Sequence, residues 1–317
     1  MQLTSTMKPF EVGDIFLGCT YLNNPDDDHM GDGRIMQFDK YWRPKGTLYT
    51  EGTRYFIVGC KMGPDGTLWA FDCHDHITVR VGPDGKQMGS WDLGRSFGSI
   101  NWHDDGNLLF GEYFIGTEIW KGTSAKMLDS GILGDGNIYK YTPDLKPIEV
   151  YDVETAVEPT MFKGVTHSTL HPSGDFITYT TETARRLMRY DLRNNQQMDD
   201  LDGYPDADPL DRADKRWFIA PSYLADGRLM CTVADGLRIY AEDGKTIKDI
   251  PLPGYGWAQV TPDVDQRYAL AANVWTGVAA RIDLDKGVIT ESIDVGFTAP
   301  NRSLAGIAVY TGQGAKL

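Results

Sequence analysis

GVTHSTLHPSGDFITYTTETARRLMRYDL, from Gly164 to Leu192, shows the pattern from which the fold is predicted. Apolar and aromatic residues occupy strand-type positions in three short runs. Ser173 and Gly174 lie in the turn after the first run, and the polar residues from Glu182 to Arg186 form the second turn. The same order of turn and strand recurs along the chain, which indicates that this segment is one copy of a repeat.

Turns of this kind precede apolar strands at five places. They are Pro64-Asp65-Gly66, Asp104-Asp105-Gly106, Pro172-Ser173-Gly174, Ala225-Asp226-Gly227 and Pro262-Asp263. Their spacing of about 40 to 70 residues, with several short strands in each repeat, is typical of a β-propeller, whose blades are four-stranded sheets. We label the strands of a blade A to D from the central channel outward.

The first repeat lacks its A strand. GDIFLGCTY, GRIMQFDKYW and GTLYT match strands B, C and D, and the missing strand is predicted at the other end of the chain, from Ser303 to Gly312. Such pairing would close the ring and remove exposed sheet edges. We therefore predict an all-β, six-bladed propeller that forms a single domain over residues 1–317. The second blade is predicted to contain Tyr55–Met62, Thr67–Phe71, Ile77–Val81 and Lys86–Trp91.

The composition narrows the class of partner. The formal net charge of -14 argues against nucleic acid and against an anionic membrane surface. No apolar run approaches the roughly 18 residues of a membrane span, and the N-terminal residues lack a signal-peptide pattern. We find no P-loop, dinucleotide glycine fingerprint or nucleophile elbow, so no nucleotide cofactor is expected. The four scattered cysteines are predicted to be buried free thiols in a cytoplasmic protein.

Two repeats resemble a known family. The blade that begins at Gly164, with its Pro-Ser-Gly turn and its ARRLMRYDL strand, resembles a repeat of the gluconolactonase and senescence-marker-protein family. YLADGRLMCTVADGLRIYAEDGKTIKDIPLP is similar to the following repeat of that family. The resemblance covers about residues 55–296, and strictosidine-synthase-like and NHL propellers fit nearly as well. It implies a six-bladed propeller and a lactone hydrolase that uses a divalent metal.

The chain departs from that family at the metal site. The family holds its metal with an Asn and an Asp at the starts of two consecutive A strands and with a Glu from another blade. Here Thr166 stands at the Asn position and Ile219 at the Asp position, and the closing strand has no Glu in the corresponding place. The calcium site implied by the resemblance is therefore not carried over to this chain.

Four of the six histidines are predicted on the face where the D-to-A and B-to-C loops meet, which we call the mouth face: His29, His74, His76 and His167. Imidazole exchanges protons near neutral pH. His167 begins an A strand, and it either acts as a general base in the channel or bonds structurally to a neighbouring blade. His74, His76 and His167 could together bind zinc or another transition metal, although a polar B-to-C turn at Cys73 to His76 explains the first two as well. Any metal cofactor is therefore predicted to be one divalent ion, either zinc at these histidines or calcium at ligands that the sequence does not reveal.

Other mouth-face residues are candidates for the site. Glu112 ends a B strand and is either a general base whose pKa is raised by burial or a hydrogen-bond acceptor between blades. Glu182 and Arg185 either orient a polar substrate or pair in solvent. Aromatic residues near mouth-facing loops either form the apolar wall of a pocket or wedge between blades. These are Tyr113, Trp257 and Trp275.

Three insertions are predicted on the mouth face, at about residues 22–33, 114–135 and 197–216. The first and third are rich in aspartate and are either solvated loops or an acidic rim that favours a cationic or neutral substrate. The second mixes apolar residues with glycine, as a lid over a site does.

The sequence thus supports two functional hypotheses. The first is a small-molecule enzyme, a hydrolase of the lactone or ester type or a lyase, with His167 as the base and Glu112 or His74 as its partner. The second is a propeller without catalysis that binds a ligand or a protein on the same face.

Overall fold

The computed structural model describes residues 4–155, 161–181, 185–207, 214, 216–295 and 302–312. Within these residues every regular element is a β-strand, and no helix is long and apolar enough to cross a membrane. The sheets form a six-bladed β-propeller, as the sequence predicts.

The first three blades contain the following strands. Blade 1 contains β1 (Ile15–Leu22), β2 (Gly31–Phe38), β3 (Pro44–Tyr49) and the last strand of the chain, β27 (Arg302–Val309). Blade 2 contains β4 (Val58–Met62), β5 (Leu68–Asp72), β6 (Ile77–Val81) and β7 (Gln87–Asp92). Blade 3 contains β8 (Phe97–Trp102), β9 (Leu108–Glu112), β12 (Ile138–Tyr141) and β13 (Pro147–Tyr151), and a short hairpin of β10 (Ile115–Gly116) and β11 (Gly134–Asp135) lies between β9 and β12 in sequence.

The other three blades follow the same order. Blade 4 contains β14 (His167–Leu170), β15 (Phe176–Thr180) and β16 (Arg186–Asp191), and both β17 (Gln196–Gln197) and β18 (Asp202–Gly203) pair with β16. Blade 5 contains β19 (Pro221–Tyr223), β20 (Leu229–Thr232), β21 (Gly236–Tyr240) and β22 (Thr246–Pro251). Blade 6 contains β23 (Trp257–Pro262), β24 (Tyr268–Asn273), β25 (Val278–Asp283) and β26 (Val288–Asp294).

The chain divides into two compact units. Unit 1 comprises residues 1–96, 119–126 and 261–317, and unit 2 comprises residues 97–118 and 127–260. The segment Ile119–Lys126, which we call the strap, therefore belongs to unit 1 although it lies within the blade-3 insertion.

Closure by the C-terminal strand is confirmed. β27 pairs antiparallel with β1, and blade 1 has the order β27-β1-β2-β3. Gly18 and Gly306 are cross-strand partners in this pair, and a Cβ atom on either would lie within 2.7 Å of the Cys60 Sγ atom of β4. The two glycines thus create the space in which blade 2 packs against the closing strand.

The four predicted strands of blade 2 are also present, but β5 and β7 each lie one residue later than predicted and β4 differs at its start. β4 begins at Val58 rather than at Tyr55. The backbone N–H groups of Arg54 and Tyr55 donate to the Asp72 carboxylate instead of to a neighbouring strand, at 2.8 and 3.0 Å. All four cysteines are buried and free, as predicted, and burial raises the pKa of Cys60 and of Cys231 to about 12.

Arg281 on β25 joins several parts of unit 1. Its guanidinium pairs with Asp263 at 2.8 Å, pairs with Glu291, and donates to the Lys40 carbonyl at 2.8 Å. The residue is only 9% exposed. Removal of one partner from such a buried ion pair leaves an uncompensated charge in the protein.

We therefore expect Arg281→Met to lower the free energy of unfolding by about 3 kcal/mol, measured by urea denaturation. The control is Arg43→Met, because Arg43 pairs with Asp39 but its side chain is 73% exposed; the expected loss there is below about 1 kcal/mol. Equal losses in the two variants would contradict a structural role for the Arg281 cluster.

Candidate active site

The turn between β5 and β6 is anchored by a buried carboxylate. Asp72 ends β5, and its Oδ2 atom accepts the N–H groups of Arg54 and Tyr55 while its Oδ1 atom accepts that of Asp75 at 3.2 Å. Burial raises the pKa of Asp72 to about 7, against the effect of these hydrogen bonds. Asp72 thereby fixes the segment before β4 relative to the turn that carries His74.

His74 is a buried, neutral imidazole. Its Nδ1 atom lies 2.7 Å from the Ser124 carbonyl oxygen, which can only accept, so the proton is on Nδ1. The ring stacks on Tyr55 at 5.2 Å with an interplanar angle of 17°. Burial, together with the nearby His29, lowers the pKa of His74 to about 3. At neutral pH His74 therefore carries no charge and serves to hold its neighbours in place.

His29 and Asp28 form a carboxylate–imidazole pair in the loop between β1 and β2. The Nδ1 atom of His29 lies 2.5 Å from Asp28 Oδ1, and this hydrogen bond lowers the pKa of Asp28. The His29 ring contacts Phe56 at 4.3 Å and His74 at 4.8 Å. A carboxylate on Nδ1 fixes the tautomer and leaves proton exchange to Nε2, which is the arrangement of acid–base histidines.

A chain of hydroxyl groups lies beside this pair. Ser124 Oγ donates to Asp27 Oδ2 at 2.5 Å, and the Tyr55 hydroxyl lies 2.8 Å from Ser124 Oγ. Because the single hydroxyl proton of Ser124 goes to Asp27, Tyr55 is the donor to Ser124. Asp27 Oδ1 in turn accepts the backbone N–H groups of His29 and Met30. These hydrogen bonds therefore fix the backbone that carries His29.

The strap is hydrogen-bonded to the loop between β1 and β2 and to the turn between β5 and β6. Asp28 donates its backbone N–H to the Gly122 carbonyl at 3.0 Å, and Lys126 donates its own to the His74 carbonyl at 2.8 Å. The insertion predicted as a lid thus contributes Ser124 to the candidate site of unit 1.

Carboxylate and imidazole atoms that could bind a metal ion come together at Asp27, Asp28 and His29 among the described residues, within 4.8 Å of one another. All three already make hydrogen bonds to protein groups, including the one between Asp28 and His29. The metal ligands predicted from the sequence are divided between the two units, with His74 and His76 in unit 1 and His167 in unit 2, and they stay a prediction.

His167 in unit 2 begins β14, as predicted, and is buried. Its Nε2 atom lies 2.6 Å from the Gln259 amide nitrogen, and its Nδ1 atom lies 3.2 Å from Thr166 Oγ1. Burial lowers the pKa of His167 to about 4. The amide of Gln259 can donate only to an unprotonated Nε2, so this contact also favours the neutral ring.

Glu112, predicted as a partner of His167, is fully buried at the end of β9. Its Oε2 atom accepts the backbone N–H groups of Asp135 and Gly136, both at 2.8 Å. These bonds hold the base of the β10–β11 hairpin. The hydrogen-bond partners of His167 among the described residues are Thr166 and Gln259. The predicted pairing of His167 with Glu112 therefore does not enter the mechanism proposed below.

The predicted substrate-binding residues lie in different environments. Trp257 is 2% exposed, and its indole N–H donates to the Pro253 carbonyl at 3.0 Å. Arg185 is buried and donates to the Asp214 carbonyl at 3.0 Å. Tyr113 is buried with its ring 6.3 Å from that of His167, Trp275 is 49% exposed, and Glu182 lies outside the described residues.

The sequence placed His29 on the mouth face without a specific role, and it did not single out Asp28, Ser124 or Tyr55. The adjacent Asp and His in DDDH were a usable signal, because neighbouring residues in a loop can pair. Ser124 gave no signal, since it lies 97 residues from Asp27 and only the fold brings them together.

No family model and no curated protein matches the chain. Solved structures match its fold. A chain of a nidogen/laminin complex is 13% identical, with a TM-score of 0.63, covering 94% of this chain and 98% of that one. A protein of unknown function from Bacteroides caccae is 11% identical, with a TM-score of 0.61, covering 95% and 100%. Virginiamycin B lyase from Staphylococcus aureus is 15% identical, with a TM-score of 0.50, covering 77% and 71%. At these identities the likeness shows a β-propeller fold shared by proteins of different kinds.

Proposed function

We propose that the protein is a small-molecule enzyme that uses histidine acid–base chemistry, either a hydrolase of the lactone or ester type or a lyase. The observation that carries the proposal is the Asp28–His29 pair, supported by the neutral ring of His74. The resemblance to the gluconolactonase family supports hydrolysis, and a structural neighbour that is a lyase supports elimination.

In this proposal His29 Nε2 accepts the proton. In hydrolysis the proton comes from the water that attacks the carbonyl carbon, and His29 returns it to the alkoxide oxygen as the acyl C–O bond breaks. In elimination the proton comes from the carbon adjacent to the one that bears the leaving group, and the C–C double bond forms as the bond to the leaving group breaks. The imidazolium that forms is stabilised by the Asp28 carboxylate at 2.5 Å. His167 is the second candidate base, although its burial disfavours the imidazolium that forms when a base accepts a proton.

We expect His29→Gln to lower kcat/KM by about 10²- to 10⁴-fold, the usual contribution of a general base, while the Tm stays within a few degrees. The substrates would be a panel of γ- and δ-lactones and phenyl esters followed by pH-stat titration, together with elimination substrates followed by the absorbance of the new double bond.

His167→Gln is the matched control variant. Loss of turnover in His29→Gln alone supports the unit 1 site, and loss in His167→Gln alone would overturn it in favour of unit 2. Wild-type protein that binds panel members without converting any of them would instead support the binding propeller. That alternative is consistent with the fold of a chain from the nidogen/laminin complex.

A further inference from the structure

A surface pocket of about 520 Å³ lies in unit 1 between blade 2 and the strap. Its volume is within the range of pockets that hold small molecules. It is lined by Arg54, Tyr55, Asp75, Ile77, Asp92, Ala125 and Lys126. The last two belong to the strap, so the pocket has one wall from a blade and one from the insertion.

Arg54 is oriented by a bidentate ion pair. Its Nε and Nη2 atoms donate to the two oxygens of Asp75, each at 2.6 Å. The fork occupies two of the five guanidinium N–H groups, and Nη1 makes no hydrogen bond to the described residues. Arg54 therefore presents fixed donors to the pocket while Asp75 balances its charge.

Lys126, which belongs to the strap, is also held by an ion pair. Its ammonium pairs with Asp92, which directly opposes Ile77 across the β6–β7 pair. One of the three ammonium N–H groups is used in that pair, and the others can serve a ligand. The four charged groups of the lining, two cations and two carboxylates, have a formal sum of zero.

His76 adds no charge to this region. It lies between the lining residues Asp75 and Ile77, is 2% exposed, and has a left-handed backbone with φ of 64°. Neither ring nitrogen of His76 makes a hydrogen bond of normal geometry to the described residues. The backbone of Lys126 nevertheless acts to raise the pKa of the ring. Burial, together with the charge of Lys126, lowers the pKa of His76 to about 4. The backbone strain is of the kind found at functional sites.

We propose that this pocket binds a small zwitterion, a molecule that carries one ammonium and one carboxylate group. Its carboxylate would accept from Arg54 and Lys126, and its ammonium would donate to Asp75 and Asp92. A ligand with a single charge would add an uncompensated charge to a lining whose formal charges sum to zero. An uncharged polyol would make hydrogen bonds in which only the protein group is charged. These are weaker than the contact between an ammonium group and a carboxylate, in which both partners are charged. The proposal goes beyond the proposed function, because the pocket lining includes Tyr55 of the candidate site but not His29.

The test compares five probes with four carbon atoms each. They are 2-aminobutanoate, 4-aminobutanoate, butanoate, n-butylamine and erythritol. Binding to the full-length protein would be measured by ligand-observed NMR titration. We expect at least one of the zwitterions to bind at least fivefold more tightly than butanoate, butylamine and erythritol. Butanoate or erythritol binding as tightly as both zwitterions, or no zwitterion binding at all, would overturn the proposal.

Variants locate the binding. Arg54→Met and Lys126→Met should each weaken zwitterion binding by tenfold or more, whereas Arg43→Met, which alters an exposed arginine outside the pocket lining, should leave it unchanged. Binding unaffected by both pocket variants would overturn the assignment. His29→Gln should bind the zwitterion normally; a protein that binds but shows no turnover on any substrate would refute the enzyme and leave the pocket in place.

Discussion

Truncation of the chain after residue 301 is expected to abolish cooperative folding. The deletion removes β27 and leaves β1 unpaired on that side from Ile15 to Tyr21. It also removes the buried side chains of Leu304, Ile307 and Val309, each at most 3% exposed. Each contributes about 1.5–3 kcal/mol, so together they approach the total stability of a typical domain, about 5–15 kcal/mol.

The measurement is thermal unfolding followed by near-ultraviolet circular dichroism. A chain that ends at Gly312 is the control and should melt as the full protein does. Ile307→Ala gives an intermediate case, with an expected loss of about 2–5 kcal/mol. A cooperative transition in the chain that ends at residue 301 would show that the closing strand is dispensable.

Acidification from pH 6.5 to about 4.5 is expected to remove much of the stability. Burial lowers the pKa of His74 to about 3 and that of His76 and His167 to about 4, whereas an unfolded histidine titrates near 6.5. Between these values the unfolded chain binds three protons that the folded chain does not. Asp72 acts in the opposite direction, because its pKa near 7 keeps one proton on the folded protein that the unfolded chain releases.

The net difference of about two protons gives a slope of about 2.7 kcal/mol per pH unit. Stability is therefore present above about pH 6.5 and is lost as the pH falls towards 4. Urea denaturation at pH 7, 6 and 5 in the presence of a chelator measures the slope. His167→Gln should reduce it by about one proton, and Asp72→Asn should increase it by about one proton. A constant free energy of unfolding between pH 7 and 5 would contradict the prediction.

The local alternation of apolar runs and polar turns is sufficient to predict where the strands lie. β6 was predicted at Ile77–Val81 and is observed there, because a short apolar run between polar turns has little alternative. The start of an A strand at His167 and the end of a B strand at Glu112 were predicted for the same reason. The closing strand was found because an incomplete first repeat and an unused last strand require each other.

The contacts of the candidate site could not be predicted in this way. The sequence predicts Glu112 or His74 as the partner of His167, and this pairing stays a prediction. In the structure Glu112 accepts from the backbone of the hairpin and His167 contacts Gln259. The environment of the acidic loop at residues 22–33 also depends on the strap. Ser124 of the strap donates a hydrogen bond to Asp27, and the sequence gives no sign of this contact.

The sequence alone therefore determined the architecture, since hydrophobic alternation and turn chemistry act over a few residues and the repeat copies them around the ring. Only the tertiary structure decided which polar groups meet. Hydrogen bonds such as those among Tyr55, Ser124 and Asp27 join residues 69 and 97 positions apart, and no local pattern encodes a pairing that forms when separate loops pack together.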